Sequence, residues 1–439
     1  MQKSSFIGGI HPLYSKECTK GVHLSKSEDP KIVIIPMQQH IGAPCEPLVQ
    51  VGDKVKIGQK IGDSKAFVSV PVHASIAGTV KLITTLDTPS GRVLSVIIES
   101  DGSNEVHENV VPKGNLDQLT SEDIKSIIRE AGIVGMGGAG FPTHVKLSPP
   151  KDKKIDTVIL NGVECEPYLS ADHRLMVEYP ERVIYGLKAI MKVLDVNKGY
   201  IGIEDNKPDA IDSISKALGN DPDISVAALK TKYPQGDEKR LIHVISGRKV
   251  PSGGLPMDVG VVVNNVGTAS AIARAILEGM PLIERITTIA GNSVANPQNL
   301  IARIGTPIKD LIEQCGGYKG NPGKLIMGGP MMGFAQFSDE IPIIKSSSGI
   351  LVFPQSEVIR YNPQPCIKCA RCVDVCPVGL LPIKLANFSE HSMWNELIEY
   401  SVLACIECGS CSFICPAKRP LLERIRLAKG EIITRRKNS

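Results

Sequence analysis

Aromatic side chains are scarce: the 439 residues include 8 Phe, 9 Tyr and 1 Trp. A surface that stacks successive bases needs more of them, so nucleic-acid binding is a poor expectation. No stretch approaches the roughly 18 uninterrupted apolar residues of a membrane span, and the opening Met1-Gln-Lys-Ser-Ser-Phe-Ile-Gly-Gly-Ile lacks the apolar segment of a secretory leader. Charge of one sign does not accumulate: 50 Lys and Arg against 46 Asp and Glu leave +4. With 42% apolar and 22% charged residues this is an ordinary globular composition. Cysteine is nearly missing before position 366, where only Cys18, Cys45, Cys165 and Cys315 stand, each read as a buried inert thiol. A chain of this length excludes a disulfide-stapled miniprotein, and without a leader it is expected in the reducing cytoplasm, where clustered thiols bind metal more often than they form disulfides. The length allows roughly two to four domains.

The expected fold is multidomain, α/β and β. Residues 1–28 are short on pattern. Residues 29–110 read as all-β, with strands expected at 32–36, 49–55, 59–62, 67–71, 76–80 and 94–98, broken by glycines. The phrases V-G-D-x-V and A-x-x-A-G-T-V there resemble a biotinyl/lipoyl-like β sandwich. In that family a hairpin-tip lysine carries the prosthetic group; here Phe67 holds the aligned position, with Lys65 two residues away, so the unit is read as structural. Residues 118–282 alternate helices (121 onward with a Ser121 cap, 179–194, 208–218) with buried strands (156–161, 199–203), a Rossmann-like α/β domain. Residues 283–348 read as strand, helix at 308–315 and strand at 324–327, similar to the β-grasp SLBB module. A helical cysteine-rich domain follows at 349–430, then a basic tail at 431–439. After Pro416 the chain has 8 Lys and Arg against 2 Glu, suited to an anionic lipid surface or acidic partner, or to a solvated end.

The other 8 of 12 cysteines crowd into two copies of one phrase, C-x2-C-x2-C-x3-C-P: Cys366, Cys369, Cys372 and Cys376, then Cys405, Cys408, Cys411 and Cys415. This is the two-cluster ferredoxin run, in which the fourth cysteine of each copy ligates the other cluster. The assignment is Cys366, Cys369, Cys372 and Cys415 to one [4Fe–4S] cluster, and Cys405, Cys408, Cys411 and Cys376 to the second. Two structural zinc sites are the alternative, although zinc ligands usually come as two pairs.

Gly135-Met-Gly-Gly-Ala-Gly-Phe-Pro-Thr143 is a second motif, whose glycines let backbone N–H groups converge on an anion. Alone it is more often a tight turn. With Val145, Lys146 and Leu147 it resembles the G-R-G-G-A-G-F-P-T-G-x-K-W loop of the flavin-binding, NADH-oxidising subunit of respiratory complex I. Three further segments follow in that family's order: Asn161-Gly-Val-Glu-Cys-Glu166-Pro with Asp172, Tyr233-Pro-Gln-Gly-Asp-Glu238, and Val263-Asn264-Asn265-Val-Gly-Thr268. Together with the SLBB-like module, the cysteine repeat and the opening Phe6-Ile-Gly-Gly-Ile-His-Pro12, nearly the full length resembles the RnfC (RsxC) family of Rnf-type ion-translocating electron-transport complexes.

The resemblance implies non-covalent FMN, two [4Fe–4S] clusters, and NADH as substrate. Gly135, Gly137, Gly138, Gly140 and Lys146 are expected at the FMN phosphate and ribityl. Asn161, Asn264, Asn265 and Thr268 are expected at further flavin hydrogen bonds. Glu166 and Glu238 are expected at the nicotinamide–flavin face, with Phe141 stacking near the dinucleotide. Neutral amides suit a flavin because they donate and accept without burying charge. Met136, Val163, Ala171 and Leu147 depart from the family's arginine, aspartate, lysine and tryptophan. The implied partners are integral-membrane and iron–sulfur subunits and, indirectly, ferredoxin, with this chain peripheral on the cytoplasmic face of the membrane. A soluble flavin and iron–sulfur reductase, such as a microcompartment cobalamin reductase, and a non-catalytic electron relay are the alternatives.

Overall fold

Period-two burial builds the first sheet. In β1 (Ile32–Pro36) Val33 and Ile35 are buried while Ile32 faces outward. With β2 (Lys54–Val55), β3 (Gly78–Thr88) and β4 (Gly91–Ser100) it forms an antiparallel sheet in the order β1-β4-β3-β2. Three short strands, Glu46–Pro47, Lys60–Asp63 and Val72–His73, make a second sheet that shares its core through Ile61 and Val72. The computed structural model describes residues 5–359 and 361–438. Residues 67–71, expected as a strand, are irregular; Pro71 has no N–H to give a ladder, and pairing begins only at Val72.

The α/β domain opens with α1 (Ser121–Glu130). Its cap is Thr120 rather than Ser121: the Thr120 hydroxyl accepts from Asp123 N at 3.2 Å and the Asp123 carboxylate accepts from Thr120 N at 2.9 Å. Ser121 instead donates to Lys192 O. Then come α2 (Thr143–Lys146), β5 (Thr157–Gly162), α3 (Ala171–Glu178), α4 (Pro180–Leu194), β6 (Gly199–Glu204), α5 (Pro208–Leu218), β7 (Ile224–Leu229), α6 (Glu238–Ser246), β8 (Val261–Asn265) and α7 (Val266–Leu277). The sheet, β7-β6-β5-β8, is wholly parallel. Helices cover it closely: a Cβ on Gly186 of α4 would stand 1.9 Å from Ala269 O of α7. All four strands deliver their carboxyl ends to one edge, where ligands of such sheets bind.

Next are β9 (Glu284–Ala290), β10 (Gln298–Arg303), α8 (Ile308–Gln314), β11 (Pro322–Met327), β12 (Phe334–Gln336) and β13 (Gly349–Pro354). Their sheet runs β10-β9-β13-β11-β12 and gains Ser25–Lys26 as a parallel edge on β10. It therefore takes in two pieces that the sequence alone placed elsewhere. The C-terminal domain consists of α9 (Arg371–Asp374), α10 (Pro382–Glu390), α11 (Trp394–Glu399), α12 (Ser410–Ile414) and α13 (Leu421–Asn438). The expected basic tail is, through residue 438, the continuation of α13. Much of its charge is matched internally: Arg426 and Lys429 on Glu407, Arg419 on Glu390, Arg435 on Glu431.

Three contacts lock the domains together. The buried Lys345 Nζ donates to Pro71 O at 2.8 Å and Gly132 O at 2.7 Å, joining three domains. At the hairpin tip, where a lipoyl domain carries its lysine, Phe67 meets His144 edge to face, and its carbonyl lies 3.1 Å from His144 Nε2. Near the N-terminus, Gly9 N donates to Val375 O at 2.8 Å while Ile10 and Tyr233 exchange backbone bonds. That short segment stitches the cysteine domain to the α/β domain.

Candidate functional site

The glycine loop leaves α1 and turns toward the carboxyl edge of the parallel sheet. Gly135 N donates to Phe141 O at 2.8 Å, closing the loop, and Gly140 adopts φ +69°, which favours glycine. Thr268, on α7, accepts from Met136 N at 3.0 Å and donates to Val134 O at 3.3 Å, so its hydroxyl pins the loop. A Cβ on Gly137 would stand 3.1 Å from the Asn265 side chain, whereas one on Gly138 would meet nothing within 4 Å. The loop thus presents open backbone on one side and packs on α7 on the other.

The asparagines lie where β5 and β8 end. Asn161 Nδ2 donates to Gly236 O at 2.8 Å and its Oδ1 accepts from Val163 N. Asn265 caps α7 through Gly267 N at 2.7 Å and donates to Asp172 Oδ2 at 2.6 Å. Asn264 is 4% exposed and its Nδ2 has no partner. A buried amide without a partner costs free energy unless a ligand supplies the acceptor. Phe141 is partly exposed at the rim.

The two expected carboxylates have different surroundings. Glu238 pairs with Lys146 at 2.6 Å, so that lysine is already committed to a carboxylate. Glu166 accepts from Met331 N at 3.0 Å and Met332 N at 2.9 Å, reaching across to the loop after β11. Burial pushes its carboxyl up to about 7 against the pull of those amides. Among the described residues no hydrogen bond or ion pair joins Glu166 to Glu238.

Sequence reasoning missed the buried charges beneath. Glu164 accepts from Asp172 N and His173 N, and burial raises its pKa. Lys16 Nζ donates to Glu164 O, and burial pulls it down to about 8. Lys207 holds Glu204 at 2.7 Å and donates to Val163 O. Lys16 comes from the pattern-poor opening segment, where nothing local announces it. Of the departures from the family loop, Val163 and Leu147 are simply buried apolar core. Among the four scattered thiols Cys45, Cys165 and Cys315 are buried, but Cys18 is exposed, because it lies in the turn at 17–21 rather than in a core.

Both cysteine motifs wrap with the same backbone. In C-x2-C-x2-C the residue before the second cysteine and the one after it are left-handed: Lys368 and Ala370 in the first copy, Glu407 and Gly409 in the second. Cys376, from the first copy, lines one cavity with Cys405, Cys408 and Cys411 of the second. Cys415 and Cys366 are the thiols whose charge reaches Cys372. Cys408 and Cys411 are buried, Cys366 and Cys369 exposed. Amides point at the sulfurs, as from Leu380 N to Cys376 at 3.3 Å and Glu407 N to Cys405 at 3.4 Å, the bonds that tune cluster potentials.

Donor chemistry decides what these quartets hold. Four thiolates bound to one zinc at about 2.3 Å stand only about 3.8 Å apart. Four cysteines in the two-cluster spacing around one cavity suit the wider cubane. Burial pushes the Cys405 thiol up to about 11 and that of Cys411 up to about 12.

Comparison with known families and proteins agrees with this architecture. Residues 4–103 match the RnfC barrel sandwich hybrid domain, 128–274 the Nuo51 FMN-binding domain, 286–335 the SLBB domain, and 358–416 the 4Fe-4S dicluster domain. The chain is 52% identical over 438 residues to the C subunit of the Na(+)-translocating ferredoxin:NAD(+) oxidoreductase complex of Acetobacterium woodii, covering 100% of this chain and 99% of that one. It is 50% identical over 393 residues to the C subunit of the proton-translocating ferredoxin:NAD(+) oxidoreductase complex of Clostridium ljungdahlii, covering 89% and 86%. Among solved structures, a chain of the NAD+-reducing [NiFe]-hydrogenase in the H2-reduced state shares the fold with a TM-score of 0.51 at 18% identity, over 74% of this chain and 65% of that one.

Proposed function

Since the chain belongs to the RnfC family of ion-translocating ferredoxin:NAD+ oxidoreductase complexes, we propose that it exchanges hydride with NAD(H) at its FMN site and passes single electrons to partner subunits. Bound FMN converts a two-electron hydride into single electrons, which [4Fe–4S] clusters accept one at a time. The protein's task is orientation and insulation, for hydride transfer needs proximity more than acid–base groups.

The geometry supports the following roles. The glycine loop (Gly135, Gly137, Gly138, Gly140), Asn161 and Asn264 face the flavin, while Asn265 and Thr268 hold the loop against α7. Phe141 borders the dinucleotide. Lys146 and Glu238 act as a neutral pair at the mouth, and Glu166 positions the Met331–Met332 turn. Cys376, Cys405, Cys408 and Cys411 hold the cluster on the flavin side. Cys366, Cys369, Cys372 and Cys415 hold the one that faces a partner.

One observation supports this order: Tyr233, in the segment between β7 and α6, donates its hydroxyl to Cys408 O at 2.8 Å, so one quartet abuts the FMN domain, while two cysteines of the other, Cys366 and Cys369, are exposed. Ile359, Tyr361 and Ile367, in the stretch of chain that leads into the first motif, are exposed and fit an apolar partner face. Among the described residues no helix is long and apolar enough to cross a membrane, and the ion path is assigned to other subunits. Attachment is to the cytoplasmic face, beside integral-membrane and iron–sulfur subunits that link the chain to ferredoxin.

The test is anaerobic stopped-flow absorbance of the cofactor-loaded chain mixed with NADH. Flavin bleaching ahead of cluster bleaching is expected. Flavin and clusters that both stay oxidised overturn the reading.

A further inference from the structure

Arg285, near the start of β9, lies outside the stretch that matches the FMN-binding domain. It is 3% exposed, yet its Nε has no hydrogen-bond partner among the described residues. The two carboxylates whose charge reaches it, Asp172 and Glu164, are occupied elsewhere: Asp172 Oδ2 accepts from Asn265, and Glu164 accepts two backbone amides. A guanidinium has five donors in a planar fork and keeps its charge when buried. Leaving it unpaired is costly, so a bound anion is the simplest explanation.

The location says which anion. At Gly267, in the first turn of the twelve-residue α7, a Cβ would stand 3.2 Å from Arg285 Nη1 and 3.6 Å from Met136 Sδ. The guanidinium therefore sits where the glycine loop meets the N-terminus of α7, whose amides and dipole favour a negative group. Met136 is the position at which the related loop carries arginine. The loop has no cation at that position, and Arg285 brings one from the neighbouring domain. Lys146, the cation expected for this task from sequence, is paired with Glu238.

We propose that Arg285 binds the phosphate of FMN, closing the flavin site with a residue from the SLBB domain. This rests on the FMN reading above. The SLBB domain then becomes part of the cofactor site, and flavin binding tightens the contact between the two domains.

The test uses the full chain with clusters intact and flavin removed, titrated with FMN and with riboflavin and read by flavin fluorescence. A charge-assisted hydrogen bond of about 1.5–3 kcal/mol predicts that Arg285→Leu weakens FMN about 10- to 100-fold and leaves riboflavin nearly unchanged. Arg285→Lys, which keeps the charge, retains part of the preference. Equal losses for both flavins, or no loss for either, overturn the proposal. Should Arg285→Leu fail to fold, the wild-type chain still decides: equal affinity for riboflavin and FMN overturns the phosphate contact. A wild-type chain that takes up neither flavin removes the FMN reading as well, whereas FMN uptake unaltered by the substitutions removes only the role of Arg285.

Discussion

The two cysteine quartets share one motif and one backbone, but they live in different solvents. In the inner set Cys408 packs with Tyr233 and Cys411 with Leu421 and Ala386, a cluster that Cys372 and Cys415 of the outer set also join, and Cys408 and Cys411 are buried. The outer set leaves Cys366 and Cys369 exposed beside exposed Ile367. Burial and amide bonds to sulfur are the levers by which a protein sets a cluster's potential, so identical sequence phrases yield unequal centres. Position in the fold, not the motif, assigns one quartet to the flavin side and the other to the exit.

The sharpest way to break this comparison is to remove one ligand from each set. Cys408→Ser should abolish cluster reduction by NADH, while Cys369→Ser should leave the inner centre reducible and block only onward transfer. Each costs roughly half of the iron; EPR after NADH addition separates them, and identical spectra would dissolve the distinction. The structural cost should be unequal too. Loss of the inner cluster exposes a cavity in the core and lowers the thermal midpoint far more than loss of the outer one, because metal-binding energy is folding energy there.

Tyr233→Phe is a milder probe. It removes the bond to Cys408 O and leaves a buried carbonyl unpaired, at about 1–3 kcal/mol in urea unfolding. The inner cluster's midpoint potential should move and the outer one's should not. Glu166 adds a pH signature on the same side of the molecule. Its folded pKa, about 7, lies above the ordinary value of 4.5, so the folded state holds the proton more tightly. The contribution is full below pH 4.5 and is lost as pH rises toward 7, by ~3 kcal/mol at most. Glu166→Gln should flatten stability across that window. The smallest effect concerns backbone alone: Ala370 sits at φ +60° where the inner copy has Gly409, so Ala370→Gly should stabilise the outer loop by up to about 1 kcal/mol in thermal melts.

The two-cluster domain was legible because its cysteine spacing is local: a dozen residues contain each copy of the motif. Two strands of the parallel sheet, β5 and β6, were legible for a similar reason, as apolar runs with recognisable ends, whereas β7 and β8 were not expected as strands. What stayed hidden joins distant residues. Lys345 meets Pro71 and Gly132, Lys16 meets Glu164, and Arg285 meets the start of α7; each pairing is created by domain packing and leaves no periodicity. Lys146, expected at the phosphate from its place in a motif, pairs with Glu238, nearly a hundred residues away, a contact that no local pattern announces. The strand expected at 67–71 failed because hydrophobic alternation was read through Pro71.

The stitch at residues 8–10 fixes how the chain can conduct. Gly8 and Gly9 take φ +82° and +77°, and a Cβ on either would stand 2.8 Å from Cys376 O or 2.6 Å from Tyr233 O. Backbone therefore touches backbone between the cysteine domain and the α/β domain, beside the buried Tyr233 side chain that bonds Cys408 O. A lipoyl domain moves its cargo on a flexible arm. This chain keeps that fold, docks the armless tip against His144, and conducts through a fixed gap, so its internal transfer rate should not depend on solvent viscosity.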